Sequence, residues 1–169
     1  MKIALISTGG TIEKTYDQYS QVLENDISIL DVLLASLELR GIELTRVALM
    51  NKDSREMTSD DHAFIADSAG ALAKDHDGVV IVHGTDRLAT TGECMIERIG
   101  TPANAVVLTG AMRPYAMKNT DATQNVTEAL LAAQILAPGV YVTMHNRVLQ
   151  FPGVIKDEIA GTFVNPDLE

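Results

Sequence analysis

The sequence predicts an α/β fold, a doubly wound and mostly parallel sheet of the flavodoxin-like or Rossmann-like kind. Three observations lead there. Short charge-free apolar runs, Ile3-Ala4-Leu5-Ile6, Val79-Val80-Ile81-Val82, Ala105-Val106-Val107-Leu108 and Val140-Tyr141-Val142, suit strands covered on both faces. Segments with apolar residues at helical spacing separate these runs along the whole chain. Glycine, hydroxyl and acidic residues follow several of the runs, at the point where a parallel strand gives way to its loop.

Each element has its own reason. The first strand, Ile3 to Ile6, stops at Thr8-Gly9-Gly10-Thr11, where two glycines let the backbone turn sharply and leave its amides open to a ligand. The polar stretch Lys14 to Gln21, with Tyr16 and Tyr19, reads as a mobile loop of the sort that closes over a site. Ile29, Leu30, Leu33, Leu34 and Leu37 define a helix with Asp31 in its first turn and Gly41 as its stop. Ile42 to Met50 alternates apolar and polar residues as a second strand and delivers the polar loop 51–57. Thr58 and Asp61 form a capping pair for a helix striped by Phe64, Ile65, Ala69, Leu72 and Ala73, up to Lys74.

Val79 to Val82 is the clearest buried strand and ends at His83-Gly84-Thr85-Asp86. A third helix spans Leu88 to Ile99, and the strand 105–108 ends in Thr109-Gly110-Ala111-Met112-Arg113-Pro114. A fourth helix, Asp121 to Leu136, precedes the strand Val140 to Met144. Residues 147–151 and 154–163 suit short strands or an extended tail. No repeat or linker divides the chain, so a single domain over 1–169 is expected.

Composition excludes several function classes. A net charge of −10 with dispersed basic residues argues against a surface that tracks phosphates, so nucleic acid is not an expected partner. No apolar run is long enough to span a bilayer, so no membrane partner is expected. Met1-Lys2-Ile3 enters the first strand at once, with no room for a leader, so a cytoplasmic location is expected. The single cysteine, Cys94, sits on the apolar side of a helix and reads as core rather than nucleophile. The glycine pair lacks the third glycine of the dinucleotide fingerprint, and neither a phosphate-binding Gly-Lys-Ser/Thr loop nor a G-x-S-x-G elbow is present. His62, His76, His83 and His145 are isolated along the chain and lack metal-site spacing; His83 reads as a hydrogen-bonded structural group, and no metal or cofactor is expected. Asn125-Val126-Thr127 matches a glycosylation pattern but falls in a predicted helix.

Thr11 is then a candidate nucleophile presented at the carboxyl edge of the sheet. A threonine hydroxyl is weak in that role unless a neighbour takes its proton and amides receive the oxyanion. Thr85 beside Asp86 forms a second hydroxyl and carboxylate pair, and a tyrosine from the loop is a further partner. On spacing alone Lys156 is a solvated lysine.

The loops Thr8-Gly9-Gly10-Thr11-Ile12, His83-Gly84-Thr85-Asp86 and Gly110-Ala111-Met112-Arg113-Pro114, in this order and each after a strand, resemble the signature motifs of the bacterial-type L-asparaginases. The resemblance implies the N-terminal domain fold of that family. It also implies hydrolysis of the side-chain amide of L-asparagine, sometimes glutamine, to the acid and ammonia without metal or cofactor. In that reading Thr11 is the nucleophile, and Thr85 with Asp86 supplies the second threonine and the aspartate. Ser54 holds the substrate's α-carboxylate, Asp86 pairs with its ammonium, and Gly10 and Gly84 belong to the substrate-binding set. Lys156 matches the family lysine beside the second threonine, and the loop tyrosine is Tyr16 or Tyr19.

Family members continue into a smaller second domain and place their sites at subunit boundaries. A chain reaching Glu169 with all three motifs is therefore expected to be a single-domain short form and a homo-oligomer, dimer or tetramer. Two positions depart from the pattern: Arg55 stands where long forms place a neutral amide, and Arg87 replaces a small hydroxyl after Asp86. Hydrolysis of glutamine or another small amide, and a catalytically silent amino-acid-binding module, are the competing readings.

Overall fold

In the computed structural model, which describes residues 1–13 and 28–167, the centre of the fold is a sheet with a parallel core. Its parallel strands are β1 (Lys2–Ser7), β2 (Glu43–Ala48), β3 (Gly78–Val82), β4 (Ala105–Thr109) and β5 (Gly139–Met144). An antiparallel strand, β6 (Arg147–Gln150), closes one side against β5. The spatial order β2-β1-β3-β4-β5-β6 reverses its direction of growth between β1 and β3, as doubly wound sheets do.

Alternation along the strands explains the two layers of helix. Ala4, Ile6, Val79, Ile81, Val106 and Leu108 point to the face covered by α2 (Ser59–Asp75) and α3 (Leu88–Ile99), where Ile65, Ala69 and Met95 meet them. Ile3, Leu5, Val80, Val82 and Val107 point the other way, to Leu30 and Leu33 of α1 (Ile29–Ala35) and Val126 and Leu130 of α4 (Ala122–Ile135). A strand buried on both faces has no use for polar residues, hence the uninterrupted apolar runs. Strand β2, at one end of the sheet order, keeps the alternation instead.

The helix termini follow local chemistry. Thr58 and Asp61 exchange side-chain and backbone hydrogen bonds in a capping box at the start of α2. Lys52 Nζ donates to Asp61 at 2.7 Å. That bond first, then the Thr58 backbone N–H, holds the Asp61 carboxyl at about 2, below its ordinary 3.8. Helix α1 is shorter than its apolar spacing suggests. The N–H of Ser36 caps it, and the Ser36 hydroxyl donates to the Leu33 carbonyl at 2.6 Å, ending the ladder before Leu37. Leu37 and Leu39 then cover the same core from an irregular segment. Cys94 is half-buried on α3 rather than fully interior, and burial raises its thiol pKa. Asn125 is fully buried in α4, donating to the Gly110 carbonyl and to Asp121, so the folded chain offers no glycosylation acceptor there.

The tail is a hairpin of β7 (Ile155–Asp157) and β8 (Thr162–Val164), in which Lys156 lies opposite Phe163. Opposed residues of an antiparallel pair share a face. Phe163 is buried in the core beside Phe151 and Val154, so Lys156 turns inward with it and its side chain is only 14% exposed. Burying a phenylalanine contributes about 2–3 kcal/mol, whereas a half-exposed ion pair contributes about 0–1. The hydrophobic anchor therefore positions this lysine.

Phe151 rests on Gly92 of α3, where an added Cβ would lie 2.2 Å from the ring. Gly92→Ala should cost about 1–3 kcal/mol in urea unfolding. Phe151→Leu in the same chain should recover part of the loss. Strictly additive losses in the double variant would show that the contact is not the cause.

Candidate active site at the carboxyl edge of the sheet

Register brings the strand ends to one level. Ser7 of β1 lies beside Ala48 of β2 and Val82 of β3, and Val82 lies beside Thr109 of β4. Loops 8–11, 49–56, 83–86 and 110–114 therefore leave from a common edge. Residues 8–11 and 83–86 flank the point where strand order reverses, the usual ligand position in an open α/β sheet.

Glycine decides how closely these loops meet. Gly9 and Gly10 have φ of 95° and 100°, values that residues with a side chain rarely adopt. A Cβ on Gly10 would lie 2.7 Å from the Gly84 backbone, and one on Gly84 would lie 2.6 Å from Ser54 Oγ. A Cβ on Gly110 would lie 3.2 Å from the Thr85 methyl. Four loops thus touch through backbone and small side chains, and the predicted residues Gly10, Gly84, Ser54 and Thr85 come together there. Thr11 follows directly in a 3-10 turn, Thr11–Glu13, and is half-buried. Tyr16 and Tyr19 lie outside the described residues.

Ser54 is buried at the start of another 3-10 turn, Ser54–Glu56, whose cap is Asp53 accepting from the Arg55 backbone. Asp86 meets two cations. Lys156 Nζ donates to its Oδ1 at 2.5 Å, and Arg55 Nε lies 3.4 Å from its Oδ2. Arg55 also donates to both oxygens of Asp53, at 3.2 and 3.0 Å. The hydrogen bond that it donates to Asp53 first, then the charges of Asp53 and Asp86, raise the arginine's pKa. Lys156 is therefore not the solvated lysine that spacing alone suggests. Arg87 is exposed, and its carbonyl accepts from Thr91 at the start of α3.

Two buried networks hold this edge from below, and neither is legible in the sequence. His83 Nδ1 lies 2.8 Å from the Gly84 carbonyl and must carry the proton, since a carbonyl only accepts. His83 Nε2 then accepts from Thr91 Oγ1 at 2.8 Å, and His62 Nδ1 donates to Thr91 Oγ1 at 2.7 Å. The histidine rings stack at 6.4 Å, so two residues isolated in sequence are neighbours in space. His62 Nε2 is left buried without a partner among the described residues. In the second network Asp121 accepts from the backbone N–H groups of Met112 and Arg113, both at 2.9 Å, and from Asn125. His145 joins it to Thr162 of β8, with 2.8 Å to Asp121 and 3.0 Å to Thr162. The loop after β4 and the lysine-bearing hairpin are thereby tied together. Among the described residues, no group of three or more His, Cys, Asp and Glu could hold a metal ion.

These features define a doubly wound α/β protein with a polar sheet edge built from glycine-tight loops. A family model described as asparaginase, N-terminal, matches residues 2–158. The L-asparaginase of Thermococcus kodakarensis is 35% identical over 153 residues, 88% of this chain and 45% of that relative. The chain belongs to the asparaginase family. A subunit of the glutamyl-tRNA(Gln) amidotransferase of Methanobrevibacter smithii is 32% identical over 146 residues, 85% of this chain and 33% of that protein. Among solved structures, the thermostable T. kodakarensis L-asparaginase superposes with a TM-score of 0.84 at 32% identity, covering 98% of this chain and 51% of its own. A probable cytoplasmic L-asparaginase from Campylobacter jejuni does so at 0.79 and 31%, covering 98% and 53%. The chain spans less than half the length of these two curated relatives. Among the described residues no helix is long and apolar enough to cross a membrane.

Burial, with a smaller contribution from His62, lowers the His83 pKa from 6.5 to about 4, against the opposing bond to Gly84. The unfolded chain therefore binds more protons between those values, and stability falls as pH drops through that window. Urea unfolding should lose about 3 kcal/mol between pH 7 and pH 4 from this group. Stability that stays flat down to pH 4.5 would contradict the neutral, hydrogen-bonded state of His83.

Proposed function

We propose that this α/β domain hydrolyses the side-chain amide of L-asparagine to L-aspartate and ammonia, with Thr11 as nucleophile. The observation that carries the reading is the meeting of Gly10, Gly84, Ser54 and Thr85 at one sheet edge, with the Asp86 and Lys156 pair alongside. Hydroxyls, amides and a fixed cation are what acyl transfer from an amide requires.

In this mechanism Thr11 Oγ1 attacks the amide carbon and its proton passes to a neighbouring group. Thr85 with Lys156, or the loop tyrosine Tyr16 or Tyr19, fills that role. Backbone N–H groups of the glycine turn receive the developing oxyanion. The carbon–nitrogen bond then breaks, the nitrogen takes the proton and leaves as ammonia, and Thr11 carries the acyl group as an ester. Water, deprotonated by the same partners, releases the acid and restores the hydroxyl. Ser54 holds the α-carboxylate, with Gly10 and Gly84 admitting the ligand close to the backbone, and Asp86 faces the α-position. Assembly as a dimer or tetramer and a cytoplasmic setting belong to the same reading.

A second reading is favoured by the amidotransferase relatives, which match almost as much of the chain. Here the amide is glutamine, and the ammonia passes to an acceptor held by a partner. Parallel kinetics on asparagine and glutamine separate the two.

Thr11→Ala should reduce ammonia release from asparagine by at least about 10³-fold, while aspartate binding, measured by calorimetry, stays within a few-fold of the parent. Release at the parental rate would remove Thr11 from the mechanism. Loss of both turnover and binding in a folded variant would point to a structural role instead.

A further inference from the structure

Asp86 faces a second cation, Arg55, beyond the Lys156 of the proposed asparagine site. Its Oδ1 is taken by Lys156 at 2.5 Å and its Oδ2 faces Arg55 Nε at 3.4 Å. Arg55 is not a loose surface cation despite the 66% exposure of its side chain. Asp53 accepts from its backbone N–H at 3.0 Å and grips its guanidinium through both carboxylate oxygens. Lys156 also lies 3.5 Å from Glu158, so opposite charges alternate from Asp53 through Arg55, Asp86 and Lys156 to Glu158. An ammonium brought to Asp86 must therefore sit beside the Arg55 guanidinium as well as Lys156, and this like charge weakens the carboxylate's pull on it.

We infer that Arg55 sets the substrate class, occupying the place of an α-ammonium so that the site takes carboxylate-bearing ω-amides with no charge at the α-position at least as well as asparagine. The inference rests on the proposed roles of Ser54 as carboxylate binder and Asp86 as the group facing the α-position. A monoamide of a four-carbon dicarboxylic acid has the required carboxylate and amide and lacks the ammonium. It places nothing against the Arg55 guanidinium, whereas asparagine sets a like charge beside it. Glutamine at position 55 would remove the plug and leave Asp53, Asp86, Lys156 and Glu158 with a net charge of −2, which an ammonium complements.

The test uses the full chain with two pairs of ligands. Calorimetry compares succinate with aspartate, and steady-state ammonia release compares succinamate with asparagine, for the parent and for Arg55→Gln. The parent should bind succinate at least as tightly as aspartate. Arg55→Gln should shift the preference toward aspartate by at least about tenfold, and raised salt should shrink the difference between the two proteins because the rim is exposed. In kinetics the shift should appear mainly in the KM for asparagine, with kcat moved little. Arg55→Lys, which keeps the charge but not the fork, should fall between them. A parent that prefers aspartate tenfold or more, an Arg55→Gln variant with an unchanged preference, or failure of both dicarboxylates to bind would overturn the inference. Succinate preference and its reversal without ammonia release from either amide would instead reject the hydrolytic reading and leave the recognition role of Arg55 standing. Unchanged urea midpoints verify that the variants are folded.

Discussion

The close approach of the Gly10 and Gly84 backbones governs the geometry of the sheet's carboxyl edge. Their strands are neighbours at the point where sheet order reverses, and loops leaving neighbouring strands ordinarily stand apart by the thickness of their side chains. With no Cβ on either residue, the turns meet through main chain, and Ser54 closes on Gly84 from the next loop. Backbone amides and short hydroxyls are thereby concentrated where a small ligand can touch several of them. A methyl group at either glycine would push apart loops that different strands hold in register.

What lies beneath that edge is rigid, and what rims it is adjustable. Fully buried residues on both sheet faces fix the strands, and the His62, Thr91 and His83 chain fixes the Gly84 carbonyl from below. Such buried polar bonds are costly to leave unmade and so hold one arrangement. The pair between Arg55 and Asp86 is exposed, screened by salt and of small net worth. Changes at the rim therefore alter the charge of this edge with little effect on folding, whereas changes to the floor would disturb the fold itself.

Membership of the asparaginase family accounts for the sheet order and the motif-bearing loops together. It does not by itself choose the amide, because relatives with comparable similarity are named for asparagine hydrolysis and for amidotransferase work. In the proposed reading the discriminating chemistry falls at the rim, around Arg55, Arg87 and the charges that surround Asp86.

Buried strands, helix stripes, the Thr58 capping pair and the glycine loops were legible in the sequence because each depends on neighbours a few residues away. The end of α1 was less so, since a single serine back-bonding to Leu33 outweighed the apolar spacing beyond it. Histidine and aspartate networks were hidden altogether: His62 and His83 lie on different elements, and His145 joins Asp121 to Thr162 across the chain. Local pattern determined the α/β class and the residues worth watching, because hydrophobic period and turn chemistry are short-range properties. Only the tertiary structure decided that Lys156 and Arg55 share one carboxylate, because that contact is set by Phe163 anchoring a distant hairpin and by Asp53 steering a guanidinium.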